Sequence, residues 1–329
     1  MKGAWIIFII LLTAKTAVGQ FSGRPLMRTF DKLEYKSGSS NWDITQDSRG
    51  IMYFANNDGL LSFDGFNWNT IPLPNRTPAR SVAIDGTGRI YVGGQNEMGY
   101  FFPDEKGKMV FHSLVDEIDS LYRTFTDVWQ IEILENTVYW RAMGRIYAYN
   151  GTTVDIIDDR DYPFISIHND RLFLQSLEGN AFFRNDRSVT EIPGSSQLAG
   201  SLITELISIS DSTAIICTEK HGLFRLQNDS IAPWNPELNK ALEGELIYDG
   251  LALSDGRIAI GTTFSGIAIT DSTGQLLYMI DRDMGLRLNQ IVCLEEDEAG
   301  SMWAVHTNGI SMVSIQSRFS YFIPDGNLE

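Results

Sequence analysis

Cysteine is nearly missing: the 329 residues hold two, Cys217 in AIICTE and Cys293 in QIVCLEE. A disulfide framework is thereby excluded, and both thiols fall in apolar strand-like runs where a free cysteine acts as a small buried hydrophobe. Histidine is almost as scarce, with four copies, His112, His168, His221 and His306. No pair of them has helical or CxxC-type ligand spacing, so a metal site would need residues from distant segments, and neither a metal nor a cofactor is expected. Positive charge is short as well: 26 basic residues face 42 acidic ones, a formal net charge of −16. That field repels phosphate backbones and anionic lipid, which argues against nucleic-acid and membrane-surface partners.

Long hydrophobic runs are also lacking, with one exception. Ala4 to Ala14 (AWIIFIILLTA) is apolar but ends at Lys15, short of the roughly 20 residues needed to span a bilayer. Lys2 before it and Ala17-Val18-Gly19 after it complete the pattern of a signal peptide cleaved before Gln20. Residues 1–19 are therefore read as an export signal, placing the mature chain in the periplasm or outside the cell, with no membrane span of its own. Removal of Lys2 and Lys15 takes the net charge to −18. No cysteine follows the cut to carry a lipid, and no phosphate-binding glycine loop or phosphoacceptor-histidine context is visible.

Helical periodicity is nearly absent, and what fills the chain is a repeat. Arg49 to Gly65 reads as a turn, a strand IMYFA, a polar turn NND, Gly59, a strand LLSF and a turn Asp64-Gly65. The order recurs from Gly88, Asn136, Asp170, Ser212, Gly256 and Gly300, each copy flanked by a strand before and a strand after. The central glycines Gly59, Gly99, Gly144, Gly179, Gly222, Gly266 and Gly309 are spaced 40, 45, 35, 43, 44 and 43 residues apart. A four-stranded propeller blade has a period of about 40–45 residues. The glycines are read as turn formers that supply positive φ. The fold expected is all-β, a seven-bladed β-propeller of four-stranded antiparallel blades over residues 39–323, its channel lined by the first strand of each copy. Asp104 to Phe125 is the longest interruption, with room for one or two helical turns in LVDEIDSLY.

The wording D-x-x-G-x-[IM]-[YW]-[FVA]-x-[TN]-x-x-G-[LI], clearest at Asp47–Leu60 and Asp297–Ile310, resembles the two-component regulator propeller repeat. The resemblance covers residues about 39–314; Asp85–Gly99 fits with an insertion, and the copies at Gly144, Gly179 and Gly222 lack the leading Asp-x-x-Gly. It implies a periplasmic sensor region of hybrid two-component systems and related Bacteroidetes-type regulators. Such a region detects a nutrient, often a carbohydrate fragment, and signals through further modules or a second copy of the chain. No such module is visible here, and residues 324–329 read as a tail opening further structure.

The turn between the second and third strands varies in type from copy to copy, which makes its face the address of a ligand site. Trp42 and Trp129 stand at matching places in NWDI and VWQI, with Tyr248 near the same place, and flat aromatic faces suit sugar rings. With them the expected face holds Asn57, Asn96, Glu97, Arg141, Glu178, Glu219, His221, Phe264 and Asn308. Its ligand would be an oligosaccharide or another small molecule. No catalytic residue is identified, so a non-catalytic sensor is the first reading. An exported polysaccharide lyase or glycoside hydrolase, using two of Glu97, Glu178 and Glu219 or the pair Glu219 and His221, is the alternative. Trp68, Trp140 and Trp303 are read as core. Two segments compete to complete the seventh blade, RTFDKLEY (Arg28–Tyr35) within residues 20–38 and RFSYFIP (Arg318–Pro324); the first is expected to tie the ring shut.

Overall fold

The computed structural model describes residues 24–317 except 159, 186 and 187, together with the backbone of 320–321. The signal peptide, most of RFSYFIP and the tail lie outside the described residues.

Seven four-stranded antiparallel sheets follow one another along the chain. Blade 1 runs Asn41–Gln46, Met52–Asn56, Gly59–Phe63 and Trp68–Ile71, from the innermost strand outward. The innermost strands of blades 2 to 7 are Ala79–Ile84, Val128–Leu134, Phe164–His168, Ile203–Ser210, Ile247–Ala252 and Cys293–Glu296. Each lies against the innermost strand of the next blade, and that of blade 7 lies against that of blade 1. Successive blades bury their apolar faces on each other; Phe30, Phe54, Leu61, Trp303 and Val305, for example, form one core between blades 7 and 1. Trp140 and Trp303 are buried, and Trp68 is half-buried against Phe63.

The Asp-x-x-G-x-x-[YW] wording has a physical cause. In the hairpins after the innermost strands of blades 1, 2 and 7, the Asp carboxylate accepts backbone N–H groups of its own turn: Asp47 from Arg49 and Ile51, Asp85 from Thr87 and Arg89, Asp297 from Ala299 and Ser301. The other carboxylate oxygen takes a proton donor six residues on, the hydroxyl of Tyr53 or Tyr91 or the indole N–H of Trp303. One side chain thus fixes the turn and anchors the next strand. These bonds hold Asp47 and Asp85 below the usual carboxylate range, while burial pushes Tyr53 and Tyr91 up to about 12.

The central glycines have two causes, positive φ and close approach, and Gly59 has both, since a Cβ there would sit 2.4 Å from the Ile71 carbonyl oxygen. Gly59 has φ of +125°, as a turn former should, but Gly99 does not have positive φ. At Gly99 the constraint is approach: a Cβ there would sit 2.2 Å from the carbonyl oxygen of His112 in the outer strand.

Met27–Phe30 pairs with Gly309–Val313 and is the outer strand of blade 7, so the chain's first described blade strand completes its last sheet. The extended reading of the whole of RTFDKLEY is corrected here. The strand stops at Phe30, and Lys32–Tyr35 makes one helical turn, because the Asp31 carboxylate accepts the N–H groups of Leu33 and Glu34 as an N-cap. Ser320–Tyr321 pairs with Arg24–Pro25 in a separate two-stranded ladder. Within the long interruption, Met109–Ser113 is the outer strand of blade 2, followed by one 3-10 turn at Val115–Glu117. Pro236–Ala241 is a short helix that the sequence pattern did not disclose, capped by Asn235. No helix among the described residues is long and apolar enough to cross a membrane.

Candidate functional site

In blades 1, 2, 3, 5 and 6 the innermost strand slips register at the same place. Asn41 pairs with Asn56 and Asp43 with Ala55, leaving Trp42 as the extra residue. Arg80, Trp129, Thr204 and Tyr248 are the extra residues of the other four. A bulge bends its strand and re-aims a side chain, and five bulges at one level put a ring of such residues at the channel mouth.

Blades 1 to 3 contribute a built cluster. The rings of Trp42 and Trp129 meet edge to face with centroids 5.7 Å apart. The Arg80 guanidinium lies 4.8 Å from one centroid and 5.1 Å from the other. Its Nε donates to Asp127 at 2.7 Å and its Nη1 to Asn57 at 3.1 Å, and Asn57 also accepts the Trp42 indole N–H at 2.8 Å. Arg80 and Asp127 are mostly shielded, with side chains 16% and 18% exposed, where cation–π contacts and ion pairs are screened little by solvent. Trp42 is therefore held by its indole hydrogen bond to Asn57, and Trp129 by the Arg80 guanidinium that lies against both rings. Across the mouth, Tyr248 is 40% exposed.

One step deeper, the next side chains stitch the blades together. Asp43 accepts the Val82 N–H of blade 2, Ser81 donates to the Val128 carbonyl of blade 3, and Gln130 pairs with both backbone groups of Ile165 in blade 4. Asp249 accepts the Leu294 N–H of blade 7. Burial raises Asp43 to about 6 and Asp249 to about 7, and it puts Glu205 well above the usual carboxylate range.

The structure brings Trp42, Asn57 and Trp129 into one cluster, and places Tyr248 at the same register in blade 6. Sequence reasoning missed Arg80 and Asp127. The signal was present, since Arg80 in ARSV aligns with Trp42 in NWDI and Asp127 directly precedes VWQI. Other expected residues have structural work. Glu97 is not a turn decoration: it is buried, accepts the Ser113 hydroxyl and the Met98 N–H, and is raised by burial. Asn96 takes a left-handed backbone and accepts the Phe125 N–H, anchoring the long loop. Arg141 lies within a strand and donates to Gln130, lowered to about 10 by burial.

Glu178 is exposed, Glu219 pairs with Lys220 at 3.3 Å, and His221 donates its backbone N–H to Thr218. Phe264 is 59% exposed on a turn held by Glu245 and Asn289. The Asn308 carbonyl accepts from Arg287. Both cysteines are free. No group of three or more His, Cys, Asp or Glu side chains among the described residues is arranged to hold a metal ion. A groove of about 770 Å³ lies away from the mouth, between the Asp47 and Asp85 turns of blades 1 and 2.

No family model matches the chain, and no curated protein does. Solved structures match well. The extracellular domain assigned to the hybrid two-component system BT4673 of B. thetaiotaomicron superposes with a TM-score of 0.69 at 18% identity, over 88% of this chain and 40% of that one. A streptogramin B lyase gives 0.67 at 15% identity, over 88% and 97%. YCF48 bound to a D1 peptide gives 0.66 at 9%, over 89% and 99%. The chain thus spans two fifths of the length of the two-component neighbour, and the likeness at these identities is one of fold.

Proposed function

We propose that the chain is an exported, non-catalytic sensor propeller of a two-component-type regulator, binding a carbohydrate or another small nutrient at the channel mouth. The observation that carries this reading is the cluster of Trp42, Trp129 and Arg80, fixed by Asn57 and Asp127 and raised to the mouth by bulges. Sugar rings stack their apolar C–H faces on such indoles, while the amide and carboxylate beside them take hydroxyl hydrogen bonds. Support for the signalling context comes from the repeat wording and from the likeness to the extracellular domain of the two-component neighbour, of which this chain matches 40%. A partner surface for such modules, or for a second copy, belongs to the same reading.

The lyase among the neighbours keeps a second reading in play, that of an exported propeller enzyme. Elimination or hydrolysis needs a base within hydrogen-bond reach of its proton, and Glu219 instead makes its ion pair with Lys220. The two readings separate in one experiment. The purified mature chain is incubated with a panel of plant and host glycans, and bound ligand and new reducing ends or unsaturated products are followed together. The sensor reading expects binding without product. Turnover that disappears in Glu219→Gln or His221→Ala would replace it by the enzyme.

A further inference from the structure

Below the mouth, carboxyl side chains from five blades line the innermost strands: Asp43 from blade 1, Glu132 from blade 3, Glu205 from blade 5, Asp249 from blade 6 and Glu295 from blade 7. They influence one another across the ring, Asp43 acting on Glu132, Glu205, Asp249 and Glu295 alike. The two remaining blades bring no acid to this level: blade 2 contributes Ser81 and Ala83, blade 4 Ile165 and Ile167.

The charged and titratable neighbours do not offset this cluster. Arg80 is matched by Asp127 at the mouth, and Arg141 faces Gln130 and Asp161. His168, toward the far end, bonds Ser208 and is held below its usual value by burial. Cys217 and Cys293 add thiols that burial and the surrounding carboxyls push well up. Glu296 bonds Ser254 and Gln316 on the far face.

We propose that the channel is a proton-responsive device: five carboxyl side chains converge from neighbouring innermost strands, which among the described residues carry no lysine and no arginine below Arg80, so that ionisation of the layer sets these strands against one another. Four of the five strands, all but that of blade 7, carry a bulge of the mouth one to three residues before the carboxyl, so the geometry of Trp42 and Tyr248 is tied to the protonation of the layer beneath. The inference rests on the fold and stands apart from the ligand reading.

The direction of the effect follows from linkage. These carboxyls sit above their unfolded values, Asp43 at about 6, Asp249 at about 7, Glu295 at about 8, with Glu132 and Glu205 well above the usual range. The folded state therefore binds more protons than the unfolded chain, and stability falls as pH rises through the folded values. His168 and His306, both lowered, act in the opposite sense but only below about pH 6.5. The two thiols add to the fall only above about pH 8.5. Between those limits the channel carboxyls act in the same sense as Glu97, the other carboxyl among the described residues that burial raises.

Two measurements on the mature chain test this. The melting temperature should drop by several degrees from pH 6.5 to 8.5, and the drop should shrink in Glu132→Gln and Glu295→Gln, which keep shape and remove charge. Calorimetric unfolding at pH 7.5 in two buffers of different ionisation enthalpy should show release of more than one proton per chain, a readout that needs no variant to fold. A flat or rising melting temperature across that window, or unfolding without proton release, would overturn the proposal.

Discussion

At the residue scale, the acidic surplus divides into two populations with opposite chemistry. Asp47, Asp85 and Asp255 are held ionised by the turns and arginines that they bind, while Asp43, Glu205 and Asp249 are raised by burial in the channel. The first group fixes hairpins. Asp47→Ala removes the acceptor of two backbone donors and of the Tyr53 hydroxyl, which keeps only Arg49 as a partner, so it should cost about 2 kcal/mol or more in denaturant unfolding. At the mouth, Trp42→Ala or Trp129→Ala should weaken ligand binding at least tenfold, about 1.4 kcal/mol, with little change in stability, since both side chains are part-exposed. Arg80→Ala should do the same by releasing both indoles from their shared cation, and isothermal titration of all three variants checks it. Trp42 and Trp129 were legible as a pair from their matching strand positions. Arg80 holds the same strand position and was passed over, because an arginine in a strand pattern reads as solvent-facing until the bulge register shows where it is aimed.

At the element scale, the period of the repeat disclosed the blades because each copy carries a central glycine, and three add the Asp-x-x-Gly turn. What it left undisclosed is equally local. Gly99 looked like a turn former and is required instead by the His112 carbonyl of its outer strand, a contact between segments that no single-copy pattern contains. Glu97 looked like a solvated turn residue, and its partner Ser113 lies in that same outer strand. RTFDKLEY alternates well enough to pass for one strand, yet the Asp31 cap ends it after Phe30. That strand carries weight. Phe30 is fully buried and stacks on Trp303 with centroids 5.7 Å apart, so Phe30→Ala should cost about 3–5 kcal/mol. Leu33, 77% exposed in the following turn, should tolerate alanine within about 0.5 kcal/mol. Chemical denaturation of the two variants side by side checks the ranking, and equal losses would mean that the closing strand is not Met27–Phe30.

At the scale of the whole molecule, the ring converts repetition into a single site. No blade could form the mouth alone: blade 1 gives Trp42 and Asn57, blade 2 Arg80, blade 3 Trp129, with Asp127 just ahead of that blade, and blade 6 Tyr248. The number of blades was readable from the spacing, whereas the convergence depends on which residue each bulge releases, a three-dimensional property. The central claim is that the ligand sits at this mouth. A crystal structure of the mature chain soaked with the tightest-binding oligosaccharide of the glycan panel tests it most directly. The account predicts a sugar ring stacked on Trp42 or Trp129, within hydrogen-bond reach of Asn57 or Asp127. A ligand seated instead in the groove between the Asp47 and Asp85 turns, with the mouth empty, would contradict it.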